Sequence, residues 1–401
     1  MRVLQLLLPL VLLGGCNFTS GDKDDPTSQS SASTAAQPLR DVLASHDREP
    51  QDQQIPDSEV RPMMQAQVVL DRLGFTPGVV DGKNGLSTRN AVAGFQEANA
   101  LTVTGELDVL TLKALARWND IPATRVVTIP AEFAAGPFYA IPADPAKQAE
   151  MPTLTYESLD EKLAERFHTT IATLQALNPG GVPAGMTPPA GAALPMPQPV
   201  PSETPADALA SDATGLTPGP ASVFHAGQQI RVPNVGGDAI NPGSVTDQAW
   251  LQTLAMLGVG SEQPKAADIV VSKSKGTLKA FDADGKLIAV YTATMGSSHD
   301  PLPLGNWKIQ GIAHNPKFHY DPALFWNAEP GSNKALLPAG PNGPVGVVWI
   351  DLSKPHYGIH GTPRPETIGR AESHGCVRLT NWDAARLAQM VSTSTKVQFE
   401  S

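Results

Sequence analysis

The chain has 401 residues, and its 35 glycines and 38 prolines exceed the usual share of these two residues. This length predicts several folded units joined by connectors rather than one compact body. A formal net charge of −10 excludes the basic face that binding to a nucleic-acid backbone requires. Two cysteines are too few for a disulfide framework or for a zinc ribbon with four thiolates.

An apolar run from Val3 to Leu13 lies at the N-terminus. It is too short to span a bilayer and is typical of a signal-peptide core. Its end, Leu13-Gly14-Gly15-Cys16, resembles the lipobox of bacterial lipoproteins. The resemblance implies that residues 1–15 are removed, that Cys16 is acylated, and that the anchor holds a periplasmic protein in the outer rather than the inner membrane. An ordinary secretory signal with a chance cysteine is the alternative.

Residues 16–60 are rich in Ser, Thr, Asp, Gln and Pro and contain few large apolar side chains. Such a segment cannot bury enough surface to fold, so we expect a disordered tether. A flexible chain of this length reaches roughly 35 Å.

Three helices are predicted between residues 61 and 118. The first ends at Gly74, and the second follows an N-cap at Ser87 or Thr88. The third carries three apolar residues, Leu110, Leu112 and Leu115. These patterns predict a small all-α domain.

The turn between the first two helices contains four residues at a recognisable spacing, Asp81, Gly82, Gly85 and Thr88. Together with the three helices, it resembles the small peptidoglycan-binding domain. An EF-hand calcium loop is disfavoured, because Lys83 and Gly85 occupy its third and fifth ligand positions. A helical spacer without a ligand is the alternative.

The third unit is predicted at residues 152–234. Residues 154–178 and a closing strand at Ala226 to Pro233 resemble the strand, two helices and strand of an α+β LysM carbohydrate-binding module. A proline-rich insert at about residues 179–220 interrupts the match, because such density prevents helices and central strands. A helical domain with an unrelated linker is the alternative. Residues 235–265 are expected to form a connector with one helix, Asp247 to Leu257.

From residue 266 to residue 401, strand patterns alternate with glycine and proline turns. They predict a mainly β domain with one helix, Asn381 to Val391. The predicted strands are Ile269–Val271, Thr277–Phe281, Leu287–Tyr291, Trp307–Ile312, Val345–Leu352, Tyr357–His360 and Lys396–Phe399.

Histidines cluster in this β domain together with Cys376, the second of the two cysteines. The sharpest pattern is His360-Gly361-Thr362 followed by Ser373-His374-Gly375-Cys376-Val377-Arg378. A cysteine becomes a good nucleophile when a histidine takes its proton. His374 shares a face with Cys376 if the segment is extended, and His360 ends a predicted strand that can aim it. Gly375 leaves room for a substrate carbonyl, and the backbone amides of Gly375 and Cys376 are candidate oxyanion donors.

These motifs resemble the signature of the L,D-transpeptidase (YkuD-type) catalytic domain, a β-sandwich with one C-terminal helix. The resemblance implies that Cys376 is the nucleophile and His360 its general base, oriented by the carbonyl of Gly361. It places His374 and Gly375 in the oxyanion and substrate region. It also puts Ser373, Gly361 and Arg378 on the substrate side, although a salt bridge that holds the cysteine loop is an equal alternative for Arg378.

The implied reaction is acyl transfer between peptidoglycan stems through a cysteine thioester, with release of a terminal D-alanine and no metal or organic cofactor. The expected partners are tetrapeptide stems, glycan and, through Cys16, a membrane, but no nucleic acid. An L,D-carboxypeptidase and a ligase that attaches an envelope protein share the donor step. Two competing hypotheses are a non-catalytic wall-binding lipoprotein and a zinc hydrolase with the candidate ligands His356, His360, His374 and Cys376.

Overall fold

The computed structural model describes residues 55–186, 216–236, 240–241, 243–325, 328–329, 331–373 and 375–401. The predicted signal peptide, Cys16 and nearly all of the tether lie outside these ranges, as do most of the proline-rich insert and His374. Within them, no helix is long and apolar enough to cross a bilayer.

Three helices form the N-terminal unit, as the sequence predicts. They are α1 (Pro62–Arg72), α2 (Leu86–Ala98) and α3 (Val109–Leu115), followed by a 3₁₀ turn at Ala116–Trp118. Proline suits the first turn of α1, because its missing N–H has no partner there. Phe75 and Phe95 meet edge-to-face at 6.0 Å in the core of this unit.

The predicted N-cap of the second helix was wrong. Ser87 and Thr88 lie inside α2, whose N-cap is Gly85 without a side-chain cap. Leu110 and Leu112 do not face the core, since they are 60 % and 51 % exposed.

A buried glutamine holds the Asp-Gly turn that follows α1. Gln67 Oε1 accepts from the backbone N–H groups of Asp81 at 3.2 Å and Gly82 at 2.7 Å. Its Nε2 donates to Asp81 Oδ1 at 3.2 Å and to Thr88 Oγ1 at 3.0 Å. The residues of the predicted turn are therefore tied to the helix through one carboxamide.

The second unit is built on a two-stranded antiparallel sheet. Its strands are β1 (Thr124–Thr128) and β2 (Gln229–Pro233), and its helices are α6 (Leu159–Arg166) and α7 (Ile171–Leu177). Two short helices, α4 (Ala131–Ala134) and α5 (Pro145–Ala149), precede α6, and a 3₁₀ turn at Pro179–Gly181 follows α7. We call this unit, residues 124–236, the accessory module. An opening strand near Leu154 was expected, but the strand that pairs with β2 begins 30 residues earlier, at Thr124.

The segment at 235–265 is more than a connector. Its helix α8 (Gln248–Leu257) is capped by Asp247 and matches the predicted helix. However, Trp250, Leu254 and Leu257 lie in the hydrophobic core of the β domain. The expectation of a free linker was therefore wrong for this helix, which covers the sheet.

A nine-stranded sheet makes up most of the third unit. Its strands in chain order are β3 (Asp268–Ser272), β4 (Thr277–Phe281), β5 (Leu287–Thr292), β6 (Thr294–Met295), β7 (Gly305–His314), β10 (Val348–Leu352), β11 (Gly358–His360), β12 (Val377–Arg378) and β13 (Lys396–Glu400). They pair in the order β5-β4-β3-β13-β7-β10-β11-β12-β6. A separate hairpin joins β8 (Phe318–Tyr320) and β9 (Ala335–Leu337), and 3₁₀ turns lie at Pro322–Leu324 and Pro365–Thr367.

The long strand β7 joins two half-sheets, because its first residues pair with β13 and its last residues pair with β10. Side chains of both halves, among them Ile269 and Ile350, share one core with the C-terminal helix α9 (Asn381–Met390). All seven predicted strands and the predicted helix are present. The four strands that the sequence did not predict, β6, β8, β9 and β12, have only two or three residues each.

The helical unit packs on the outermost strand of this sheet. Val290 in β5 donates to the Gly74 carbonyl, and its own carbonyl accepts from Thr76, both at 3.0 Å. A Cβ added at Gly94 would lie 2.6 Å from Val290 Cγ2, so α2 approaches the strand closely. The helical unit therefore occupies hydrogen-bonding groups that an edge strand otherwise leaves open.

A buried charge cluster ties the three units together. Asp71 of α1 accepts two hydrogen bonds from the Arg386 guanidinium of α9, at 3.0 and 2.9 Å. His168 of the accessory module lies 3.3 Å from Asp71, stacks on Trp382 at 4.9 Å, and makes a 2.9 Å hydrogen bond to the Leu257 carbonyl.

Candidate active site

The two sequence motifs meet on neighbouring strands. β11 and β12 run parallel, with His360 opposite Arg378 and Ile359 opposite Val377. Ile359 and Val377 are fully buried in the core, so His360 and Arg378 point to the other face, and Cys376 shares that face two residues before Arg378. Cys376 is the residue directly before β12, and His360 is the last residue of the neighbouring strand β11. The fold thus brings together the predicted nucleophile and base.

The imidazole of His360 is held in one tautomer. It is 5 % exposed, its Nδ1 lies 2.7 Å from the Gly361 carbonyl, and Trp349 stacks on its ring at 5.5 Å. A carbonyl only accepts, so Nδ1 carries the proton and Nε2 keeps a free lone pair. Burial, followed by the charge of Arg378, lowers the pKa of His360 to about 4. The ring is therefore a neutral base at pH 7.

The thiol of Cys376 is protonated at rest. Burial raises its pKa, and a backbone contact from Gly358 and the charge of Arg378 oppose the rise without cancelling it. Sγ lies 3.6 Å from the His356 carbonyl, which is its hydrogen-bond partner among the described residues. Because a thiol is a weak donor, this contact is easily exchanged for another. A base must remove the proton during the reaction.

Tyr357 is the site residue that the sequence did not reveal. Gly375 has φ +94°, and a Cβ added there would lie 2.5 Å from Tyr357 Cε1. The space expected for a substrate carbonyl is thus bordered by this ring. Burial raises the pKa of the Tyr357 phenol, and the charges of Asp300 and Cys376 add to the rise. No motif marks Tyr357; its only signal is its position three residues before His360.

Ser373 has a different role from the predicted contact with substrate. It is 3 % exposed. Its hydroxyl accepts from the Gly296 amide at 2.7 Å and donates to the Cys376 carbonyl at 2.6 Å. A buried hydroxyl with both functions in use holds the cysteine loop to Gly296, the residue directly after β6.

Comparisons with known proteins agree with this geometry. The model of the L,D-transpeptidase catalytic domain (YkuD) matches residues 266–399, and that of a putative peptidoglycan binding domain matches residues 61–115. The putative L,D-transpeptidase YkuD of Bacillus licheniformis is 31 % identical over 146 residues, which are 36 % of this chain and 73 % of that protein. The chain belongs to the L,D-transpeptidase family.

Other relatives carry related names. The putative L,D-transpeptidase YqjB of Bacillus subtilis is 32 % identical over 143 residues, which cover 34 % of this chain and 73 % of that protein. An L,D-transpeptidase structure from Mycobacterium smegmatis is 21 % identical, with a TM-score of 0.28, and covers 34 % of this chain and 59 % of that one. The two matched domains and the curated relatives identify an L,D-transpeptidase enzyme with a helical peptidoglycan-binding domain.

Arg378 is a cation of this L,D-transpeptidase site whose charge acts on both His360 and Cys376. It is half-buried, and burial lowers the pKa of its guanidinium. The charges that act on it are those of Cys376 and Arg364, and within the described ranges it makes no salt bridge or hydrogen bond with another side chain. The predicted salt bridge across the cysteine loop is not formed there. A second cation nearby favours an anionic ligand instead.

The zinc alternative has no support in the geometry of the described residues. Among them, no three His, Cys, Asp or Glu side chains are grouped to hold a metal ion. His374, one of the candidate ligands, is outside the described residues. The Nδ1 atom of His360 is already engaged with the Gly361 carbonyl.

Proposed function

We propose that the protein forms cross-links between peptide stems of peptidoglycan, with Cys376 as nucleophile and His360 as general base. The observation that carries this proposal is the neutral imidazole of His360, held by Gly361 with Nε2 free, on the strand beside the thiol. A base with a pKa of about 4 and a thiol with a raised pKa form a neutral pair that separates charge only when substrate arrives.

The donor step moves one proton and exchanges one bond. His360 Nε2 takes the Cys376 proton as sulfur attacks the carbonyl of an L-configured centre in a tetrapeptide stem. The tetrahedral oxyanion forms beside the backbone amides of Gly375 and Cys376. The bond to the terminal D-alanine then breaks, the imidazolium returns its proton to the leaving amine, and the remaining stem is held as a thioester.

The acceptor step reverses the roles. An amine of a second stem attacks the thioester, His360 takes the proton of that amine, and the Cys376 thiol is restored. Arg378 supplies a guanidinium for a stem carboxylate, because its planar fork matches carboxylate geometry and no described residue pairs with it.

The remaining units keep the enzyme at the wall. The helical domain matches a putative peptidoglycan binding domain, which supports contact with the polymer. In the accessory module the helix pair α6 and α7 lies between the two strands, after the short helices α4 and α5, and this pair together with the closing strand β2 supports its assignment as a LysM-like glycan-binding module. The lipobox-like sequence at Cys16 supports a periplasmic protein with an acyl anchor. Asn17, rather than an aspartate, follows the cysteine, and this supports the outer membrane as the place of the anchor.

The test of the nucleophile is covalent labelling by a carbapenem, whose strained amide acylates thiols. The intact full chain should gain one adduct, and Cys376→Ala should gain none. His360→Ala should label far more slowly, whereas His319→Ala, a matched histidine on the separate hairpin, should label like the wild type. An adduct that persists in Cys376→Ala refutes the thiol mechanism.

The test of the acceptor is a separate incubation. With disaccharide tetrapeptide as the only substrate, mass spectrometry should detect cross-linked dimers together with free D-alanine. A tripeptide product without dimers would replace cross-linking by carboxypeptidase activity.

A further inference from the structure

Asn381, the first residue of α9, is fully buried beside the active site. Its Oδ1 accepts from the Val347 amide at 3.3 Å. Its Nδ2 donates to the Pro341 carbonyl at 3.1 Å and to Glu165 Oε1 at 2.8 Å. Both N–H donors and the oxygen of the carboxamide are thus engaged, so its orientation is fixed.

The Asn381 carboxamide contacts Gly361, whose carbonyl orients the imidazole of His360. A Cβ added at Gly361 would overlap Asn381 Oδ1, so the two groups are in direct contact. The carbonyl of the same Gly361 is the partner of His360 Nδ1 at 2.7 Å. Two contacts therefore join Asn381 to the imidazole, and a shift of the carboxamide moves the carbonyl that sets the tautomer.

Glu165, the other end of this chain of contacts, comes from outside the catalytic domain. It lies on α6 of the accessory module and is 7 % exposed. Burial, with the nearby Glu161, raises the pKa of its carboxyl to about 7, although contacts with Tyr156 and Asn381 oppose the rise. Burying such a group is unfavourable, so its place against Asn381 calls for an explanation beyond packing.

We propose that Glu165 and Asn381 are positioning residues, through which the accessory module holds the Gly361 carbonyl and hence His360 in the tautomer of a base. The inference rests on the proposed function, in which His360 activates Cys376. It assigns part of the active-site support to a unit that the family model at residues 266–399 does not cover.

The test compares two replacements of Glu165 in the full chain. Glu165→Gln keeps an oxygen that accepts from Asn381, whereas Glu165→Leu has similar volume and no acceptor. The readout is carbapenem acylation of Cys376, resolved into the maximal rate constant and the concentration for half-maximal rate. We expect Glu165→Leu to lower the maximal rate about tenfold or more with the half-saturating concentration unchanged, because misplaced catalytic groups cost rate. Glu165→Gln should stay within about threefold of the wild type.

A matched control weakens the same interface without touching this chain of contacts. Thr153 donates to the Ala339 carbonyl at 2.9 Å, and Thr153→Val removes that bond between accessory module and catalytic domain. Its acylation rate should equal that of the wild type. If Glu165→Leu does not fold, Glu165→Ser takes its place, since the shorter side chain leaves room for water and does not reach Asn381.

The outcomes separate the two proposals. A folded variant without an acceptor that acylates Cys376 at the wild-type rate overturns the positioning role and leaves the proposed function standing. An equal loss in Glu165→Gln and Glu165→Leu also overturns it, because the acceptor oxygen would then be irrelevant. An adduct on a residue other than Cys376 overturns the proposed function itself.

Discussion

Replacing Asp71 by asparagine is expected to destabilise the whole assembly of three units. The variant keeps the size of the side chain and removes the charge that balances the Arg386 guanidinium and the His168 ring. Asp71 is 1 % exposed, and Arg386 contacts both of its oxygens at 3.0 and 2.9 Å. Removing one partner of such a pair leaves an uncompensated buried charge.

We expect Asp71→Asn to lower the free energy of unfolding by about 3 kcal/mol. This is the lower end of the range of about 3–5 kcal/mol for a broken buried ion pair. The reason is a second carboxyl in the cluster, Asp383, which lies 4.0 Å from the same guanidinium. Burial raises the pKa of Asp383 to about 7, with the Arg386 charge opposing and the Asp71 charge adding to the rise. When Asp71 is neutralised, Asp383 ionises more readily and offsets part of the loss.

The effect should depend on pH in a defined direction. Burial alone would raise the pKa of Asp71, but the charges of Arg386 and His168 outweigh it and hold the pKa well below the usual range. A carboxyl with a lowered folded-state pKa contributes stability that is present above its unfolded-state pKa, near 4, and is lost as the pH falls below it. The difference between wild type and Asp71→Asn should therefore be largest at pH 7, smaller at pH 3.5, and lost fully only as the pH falls through the folded-state pKa.

Urea unfolding of the full chain at pH 7 and at pH 3.5, followed by tryptophan fluorescence, measures this difference. The ring of Trp382 stacks on His168 within the cluster, so its signal reports the interface. Lys396→Gln is the matched control, because its ion pair with Asp268 at 3.5 Å is exposed and should contribute no more than about 0.5 kcal/mol. A loss below about 1 kcal/mol at pH 7, or an equal loss at both pH values, would refute the assignment.

Two further predictions concern the catalytic face and the domain interface. The acylation rate of Cys376 should fall in acid with an apparent pKa near 4, the pKa of His360. Arg378→Gln should move this fall to higher pH, because the cation of Arg378 lowers the pKa of His360. A pH–rate profile of labelling that is the same in wild type and Arg378→Gln would contradict this. Gly94→Ala should cost about 1–3 kcal/mol by thermal unfolding, because its Cβ would lie 2.6 Å from Val290 Cγ2. Val290→Ala should relieve that cost, and a simple sum of the two losses would speak against the clash.

Elements with a strong local signal were predictable from the sequence. The seven predicted strands of the large sheet carry runs of apolar and β-branched residues, and α8 and α9 begin at Asp and Thr caps. The prediction that His360 and Cys376 act together rests on a motif of fixed spacing, and the parallel register of β11 and β12 places His360 opposite Arg378, two residues after Cys376.

Features that depend on contacts between residues far apart in the chain could not be predicted from the sequence. β1 pairs with β2 across about a hundred residues, and β12 has two residues, too few for any alternation. The inward direction of Ser373 depends on Gly296, and the place of Glu165 depends on Asn381, more than two hundred residues away in the chain. Local patterns do not encode such contacts, since packing decides them only after the units have assembled.

The docking of the helical unit on β5 bears on how this enzyme can be divided. Gly74 and Thr76 hydrogen-bond to the backbone groups of Val290. The helical unit therefore also covers the edge strand of the catalytic sheet. A fragment that begins at residue 266 would expose strand β5 and the side chain of Leu287. An exposed edge strand is a template on which other chains add strands and aggregate. The two parts into which the sequence divides the chain are therefore not separable modules in the folded molecule.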